Sequence, residues 1–178
     1  MFDFLFNPQG RISRKGWWLG FTLPYLALTI IGSVLGPMNV IFGLTNTLIG
    51  LFFLWPSLVA VPVKRFHDLG MTGFWQLGFV VAEFVLVVTL FVGIGMYAFE
   101  AGLEEEMAGM GTMSAADQIA IMAEYVGPAL THPVSLVSLI LLLAANLAWL
   151  FLQGVKRGQA GPNTHGEDPL ASGRGFAD

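Results

Sequence analysis

The chain contains no cysteine and few charged side chains. Of its 178 residues, 11% are Asp, Glu, Lys or Arg and 55% are hydrophobic. The absence of thiols excludes disulfide bonds, thiolate metal sites and cysteine nucleophiles. Because soluble domains carry roughly 25% charged residues, most of this surface is expected to face something other than water.

Motifs of common catalytic chemistry are also missing. The sequence has no Gly-x-Ser-x-Gly, no phosphate-binding loop and no His-Glu-x-x-His. It therefore carries no hydrolase, nucleotide or redox signature. We expect a protein that is not an enzyme, with no cofactor, no bound metal and no nucleic-acid partner.

Four apolar runs are long enough to cross a bilayer, which takes about 20 residues in a helix. Backbone polar groups in lipid must be satisfied within each segment, so these runs are expected as helices. The sequence predicts an all-α membrane protein with four transmembrane helices, near residues 17–36, 40–63, 74–97 and 133–152.

The rest of the chain is expected to serve these spans. Pro24, Pro56 and Pro62 remove amide donors and predict kinks in the first two spans. The short, uncharged connection at 37–39 predicts a tight hairpin. We expect one membrane domain over residues 1–170 and a flexible tail over 171–178.

Basic residues predict the orientation. Cytoplasmic loops attract Lys and Arg, so both termini are assigned to the cytoplasm. All eight basic residues fall on that side of the four predicted spans: Arg11, Arg14, Lys15, Lys64, Arg65, Lys156, Arg157 and Arg174.

The opposite side carries one long acidic loop, residues 98–131, which includes Glu104, Glu105 and Glu106. Ser114 followed by Asp117 is typical of a helix start. Apolar residues then recur at helical spacing up to Gly127-Pro128. We predict a short amphipathic extracytoplasmic helix that ends there.

Three polar motifs share the basic side. They read GRISR at 10–14, KRFHDLG at 64–70 and GPNTHGEDP at 161–169. The second is expected as a polar turn over 64–75, between two spans. In this order around four apolar runs, the motifs resemble the bacterial inner-membrane family catalogued as domain of unknown function 805. Lys64 departs from its pattern, which often has arginine there. The resemblance implies topology and an inner-membrane location rather than an activity.

The three motifs are expected to meet in one cytoplasmic-face cluster. Within it, Arg11, Arg14 and Arg65 are expected to pair with Asp68 and Asp168. Hydrogen bonds between segments are expected from His67, Asn163 and His165. Arginine forks also suit phosphate. One interpretation is a structural clip that ties the tail and turn to the helices. The other is capture of an anion, either lipid phosphate or a partner's carboxylate. The cluster comprises Arg11, Arg14, Lys64, Arg65, His67, Asp68, Asn163, His165 and Asp168.

One carboxylate lies in the middle of a predicted span. Glu83 stands about 14 Å from the cytoplasmic end at about 1.5 Å per residue, and Asn146 lies at similar depth in the fourth span. An intramembrane carboxylate suggests a functional site. The alternative is a hydrogen-bonded Glu83–Asn146 pair that fixes helix packing.

The leading hypothesis is a small integral inner-membrane protein that binds without catalysis, as an accessory subunit or scaffold. Its expected partners are membrane lipids, anionic ones among them, and a larger complex or further copies of itself. One alternative is a small transporter or channel component that uses Glu83. The other is a lipid-headgroup enzyme that uses His67 and Asp68 as an acid–base pair.

Overall fold

The computed structural model describes residues 2–36, 39–103 and 109–171. Within these ranges the chain forms helices and turns, with no strand. The helices are α1 (Phe2–Phe6), α2 (Gly16–Leu35), α3 (Val40–Asp68), α4 (Phe74–Glu100), α5 (Ala115–Thr131) and α6 (Pro133–Val155).

Four of these helices, α2, α3, α4 and α6, are long and apolar enough to span a membrane. Within the apolar stretch of each, no more than 17% of the residues are buried by the protein itself. Apolar side chains left this exposed need lipid around them. The predicted fold class, all-α with four transmembrane helices, is therefore confirmed.

Two compact units make up the chain. The first contains the chain up to Val80 together with the chain from Trp149 onward, and the second contains Val81–Ala148. All three polar motifs belong to the first unit.

Helix α3 extends further than expected. The prediction of a turn over 64–75 was wrong for its first five residues, because Lys64–Asp68 are helical. Gly70, with φ of +73°, ends the helix. Its amide donates to the His67 carbonyl at 3.0 Å, and the Met71 amide donates to the Phe66 carbonyl at 2.9 Å. This is the Schellman arrangement, for which glycine is favoured.

Proline widens α3 rather than breaking it. The segment Pro56–Ala60 is π-helical, and the Val61 amide donates to the Pro56 carbonyl five residues back. Such single π turns accommodate a missing donor within a helix. They also occur at the start of α2 (Gly16–Thr22) and the end of α6 (Phe151–Val155).

A small apolar core sits beside the polar motifs in the first unit. It is formed by Leu5, Ile12, Trp17, Phe21 and Val61. The Ile12 amide donates to the Lys64 carbonyl at 3.4 Å, which joins the α1–α2 connection to α3. The first and second polar motifs are therefore held side by side by backbone and core contacts.

In the second unit, α5 begins as predicted and ends later. The Ser114 hydroxyl oxygen accepts from the Asp117 amide at 3.3 Å. The predicted stop at Gly127-Pro128 was wrong, since the helix continues to Thr131. It ends at His132, whose extended backbone is the one favoured before a proline. The extracytoplasmic placement of α5 stays a prediction, and Glu104–Glu106 lie outside the described residues.

Candidate functional site

Asp68, the last residue of α3, lies at the centre of a buried charge cluster. Its side chain is 5% exposed and faces two guanidinium groups that are at most 1% exposed. Asp68 Oδ1 accepts from Arg11 Nε at 3.2 Å and from Arg11 Nη2 at 3.0 Å. Asp68 Oδ2 accepts from Arg65 Nη1. The first two motifs thus meet in one Arg–Asp–Arg triad, as their charges suggest.

Arg11 also binds the third motif. Its Nη1 donates to the Gly161 carbonyl at 2.7 Å and to the Gly166 carbonyl at 3.4 Å. Its Nη2 donates to the Gln159 carbonyl. A guanidinium has five N–H donors, and all five of Arg11 are used in these contacts. Arg11 therefore has no donor left for an external anion.

The last carbonyls of α6 accept hydrogen bonds from side chains of the first two motifs and from Trp18. Arg65 donates to the carbonyls of Gln153, at 2.7 Å, and Lys156. The carbonyls between them accept from Trp18 Nε1 at 3.0 Å and from Arg14 Nη1 at 2.8 Å. A helix leaves its last carbonyls unpaired, and cations near its C-terminus interact favourably with the helix dipole. Four successive carbonyls, 153–156, are satisfied in this way.

The histidine of the second motif contacts both other motifs. His67 Nδ1 lies 3.1 Å from the Gly10 carbonyl oxygen. Its ring stacks on that of His165, with centroids 4.0 Å apart and planes 3° from parallel. Asn163 Nδ2 donates to the His67 carbonyl at 3.0 Å. The bonds expected of His67 and Asn163 between segments are present, whereas His165 contributes ring stacking.

Lys64 and Asp168 are placed differently from the arginines. Lys64 is 2% exposed, and its Nζ donates to the carbonyls of Asp3 at 2.7 Å and Phe4 at 3.1 Å, which ties α1 to α3. Asp168 accepts from the Leu170 amide at 2.9 Å and the Gly161 amide at 2.8 Å.

These two amides hold the pKa of Asp168 below its ordinary value, the Leu170 bond more than the Gly161 bond. Backbone amides therefore satisfy Asp168, where sequence reasoning expected an arginine partner.

The cluster does not favour acid–base catalysis by His67 and Asp68. Both carboxylate oxygens of Asp68 accept from arginines rather than from the imidazole. Nor does any group of three or more His, Cys, Asp or Glu side chains converge for a metal ion within the described ranges.

Exposed basic side chains form the rim of the cluster, and one of them, Arg14, also donates through Nη1 to the Val155 carbonyl. Arg14 and Arg157 are exposed and line one cleft of about 310 Å³, which Asp68 and Asp168 also line. Arg14, Lys15 and Trp18 line a neighbouring cleft of about 320 Å³. The Arg157 guanidinium has no hydrogen-bond partner among the described residues. Sequence reasoning missed Arg157 as a site residue, because a cation in a glycine-rich tail resembles any solvated charge.

The intramembrane pair lies in the second unit. Asn146 Nδ2 donates to Glu83 Oε1 at 3.1 Å and to the Leu142 carbonyl at 2.9 Å. The two side chains at matching depth are thus in contact. This contact gives the transporter hypothesis no support, because hydrogen bonding between helices accounts for it.

The fold and the cluster define a class: a helical integral membrane protein whose polar motifs meet in a buried arginine–aspartate cluster. Comparison with known families narrows this class to one family. The chain belongs to the family described as protein of unknown function (DUF805), whose model matches residues 5–167. The resemblance carried by the three motifs is therefore confirmed.

Two individual relatives that match the chain are also described as uncharacterized proteins. The chain is 30% identical over 100 residues to the uncharacterized protein YiiR of Escherichia coli K12, across 56% of this chain and 67% of the relative. YiiR of Escherichia coli O157:H7 matches with the same identity and coverage. No solved structure matches the chain.

Proposed function

We propose that this protein is a non-enzymatic binding component of the bacterial inner membrane, with both termini cytoplasmic, and that it holds anionic lipid headgroups at its basic rim. One observation carries the proposal. Arg14, whose Nη1 donates to the Val155 carbonyl, and Arg157 are exposed and line the same cleft, while Arg11 and Arg65 are buried and occupied. Anion capture therefore belongs to the rim rather than to the central triad.

The chemistry of the cleft suits a lipid phosphate. Planar guanidiniums bind phosphate oxygens in pairs, whereas lysine acts as a point charge. Basic residues near an anionic leaflet gain about 1 kcal/mol each. The two carboxylates in the cleft do not compete for the arginines, because Asp68 is held by Arg11 and Arg65, and Asp168 by backbone amides.

Lipid binding by matched variants tests the proposal. Each variant is reconstituted in nanodiscs, and its affinity for phosphatidylglycerol over phosphatidylcholine is measured by native mass spectrometry. Arg157→Ala should weaken this preference roughly tenfold, since it loses both a charge and a two-pronged contact. Lys156→Ala is the control, because Lys156 is also exposed but lines neither cleft.

Arg157→Lys separates charge from geometry. It keeps the positive charge and removes the planar fork, so it should fall between wild type and Arg157→Ala. Equal losses in the Arg157→Ala and Lys156→Ala proteins would indicate a general surface potential and would reject the cleft as a binding site.

A further inference from the structure

An apolar groove, of about 620 Å³ and separate from both basic clefts, lies between α3 and the first turns of α4 in the first unit. One wall includes Leu58, Val59 and Val63, and the other includes Phe74, Leu77 and Val80. No Lys, Arg, Asp or Glu lines it, and none of its residues lines the Arg14–Arg157 cleft. Its volume falls within the roughly 300–1,000 Å³ typical of sites for small ligands.

The polar end of this groove is formed by the stacked rings of His67 and His165. His67 Nδ1 faces the Gly10 carbonyl, which can only accept, so Nδ1 carries the proton in the neutral ring. Nε2 is then the acceptor. A Cβ built on Gly73 would lie 3.6 Å from Nε2 and 2.9 Å from Val63 Cγ1, so Nε2 lies beside two residues that line the groove. Nε2 has no hydrogen-bond partner among the described residues.

The Gln76 side chain, which also lines the groove, is already occupied. Gln76 Nε2 donates to the Leu58 carbonyl at 2.9 Å, and Gln76 Oε1 accepts from Trp149 Nε1 at 3.0 Å. The groove is thus largely apolar and has an unoccupied hydrogen-bond acceptor, His67 Nε2, at one end. Both walls belong to helices that are long and apolar enough to span a membrane, so we expect acyl chains to reach the groove.

These features select the polar group of the occupant. A phosphate or carboxylate would find no cation in the lining, and an ammonium would find no carboxylate; burying either charge unpaired is costly. An uncharged hydroxyl can donate to Nε2 without that cost. We propose that the groove binds a neutral amphiphile, a long alkyl chain that ends in a hydroxyl, as in a fatty alcohol.

Three probes with the same chain test this assignment: oleyl alcohol, methyl oleate and oleate. Each is titrated into the full-length protein in phosphatidylcholine nanodiscs, and binding is measured by native mass spectrometry. Oleyl alcohol should bind roughly 2- to 10-fold more tightly than methyl oleate, the effect of one neutral hydrogen bond. Oleate should bind no better than the ester. Equal binding of alcohol and ester, or preference for oleate, would overturn the assignment of the hydroxyl.

Variants on α4 locate the site. Leu77 is 57% exposed and lines the groove, so Leu77→Trp should fill the groove without disturbing the protein interior. Oleyl alcohol binding is expected to fall by tenfold or more. Val81→Trp is the matched control, because Val81 is 53% exposed and does not line the groove. Unchanged binding in Leu77→Trp, or an equal loss in both variants, would refute the groove as the site.

Discussion

Replacement of Asp68 by asparagine is expected to release residues 159–166, the segment that follows α6, from the helices. The carboxylate is shared by two guanidiniums, Arg11 and Arg65, and the first of these also binds three carbonyls of that segment. Asparagine keeps the shape but removes the negative charge, and it turns two N–H donors toward groups that can only donate. Arg11 would then lose the contact that aims it at the segment.

The expected effect is large because the triad is buried. Breaking a buried ion pair by removing one partner costs about 3–5 kcal/mol, since it leaves an uncompensated charge. At about 1.4 kcal/mol for each tenfold change, this raises the equilibrium constant for opening roughly 100- to 4,000-fold. Residues 159–166 should therefore open locally before the spans unfold.

Hydrogen exchange measured by mass spectrometry detects this opening. The Gln159 amide donates to the Asp68 carbonyl at 2.8 Å. The Asn163 amide donates to the Gly166 carbonyl at 3.0 Å, and the Gly166 amide donates to the Asn163 carbonyl at 3.1 Å. When closing is fast, protection of such amides reports the opening equilibrium. The Asp68→Asn protein should lose protection over 159–166 by the factor given above and keep it along α4.

Glu167→Gln is the control for net charge. Glu167 is an exposed carboxylate next to the same segment, so its neutralisation should change protection less than twofold. A folded Asp68→Asn protein with wild-type protection over 159–166 would refute the reasoning, because the triad would then not be what retains the segment.

Three further predictions concern single positions. A Cβ on Gly158 would overlap the Asp68 carboxylate, so Gly158→Ala should loosen the segment in the same exchange experiment; Gly78→Ala, with open space around it, should not. The lowered pKa of Asp168 means that its contribution is complete above the ordinary pKa and lost as the pH falls through the lowered value. Wild-type protection, corrected for intrinsic exchange, should therefore drop in acid, and an equal drop in Asp168→Asn would contradict this. Glu83→Gln keeps an acceptor for its neighbour, so the melting temperature in detergent should stay within a few degrees of wild type; a larger loss would show that the charge itself is needed.

Hydropathy was sufficient to predict the spans, because lipid demands long apolar helices whatever their detailed packing. It failed at the end of α3. Lys64 and Arg65 read as turn residues by their charge, yet both are buried helical residues with carbonyl acceptors supplied by distant segments. A window of local composition cannot register an acceptor about 90 residues away along the chain.

The members of the candidate site were partly predictable for a similar reason. Side-chain charge suggested that Arg11 and Arg65 would meet Asp68. The other acceptors are backbone carbonyls, which every residue carries and which no motif distinguishes. The sequence therefore indicated that these arginines meet Asp68. It did not indicate that backbone carbonyls would occupy their other N–H donors.

Charge balance explains why the buried arginines and the rim arginines have different roles. Arg11, Arg65 and Asp68 together carry one net positive charge, which five carbonyls offset: those of Gln153, Lys156, Gln159, Gly161 and Gly166. Satisfying this charge with backbone dipoles removes the need for a bound anion at the centre. Each of those carbonyls lies at or after the end of α6, so the same bonds also hold this segment in place. Arg157 lies between α6 and that segment, so its position at the rim depends on the buried triad although it contacts neither arginine. Loss of Asp68 should therefore weaken lipid selectivity at Arg157 as well, whereas Arg157→Ala should leave exchange protection over 159–166 unchanged.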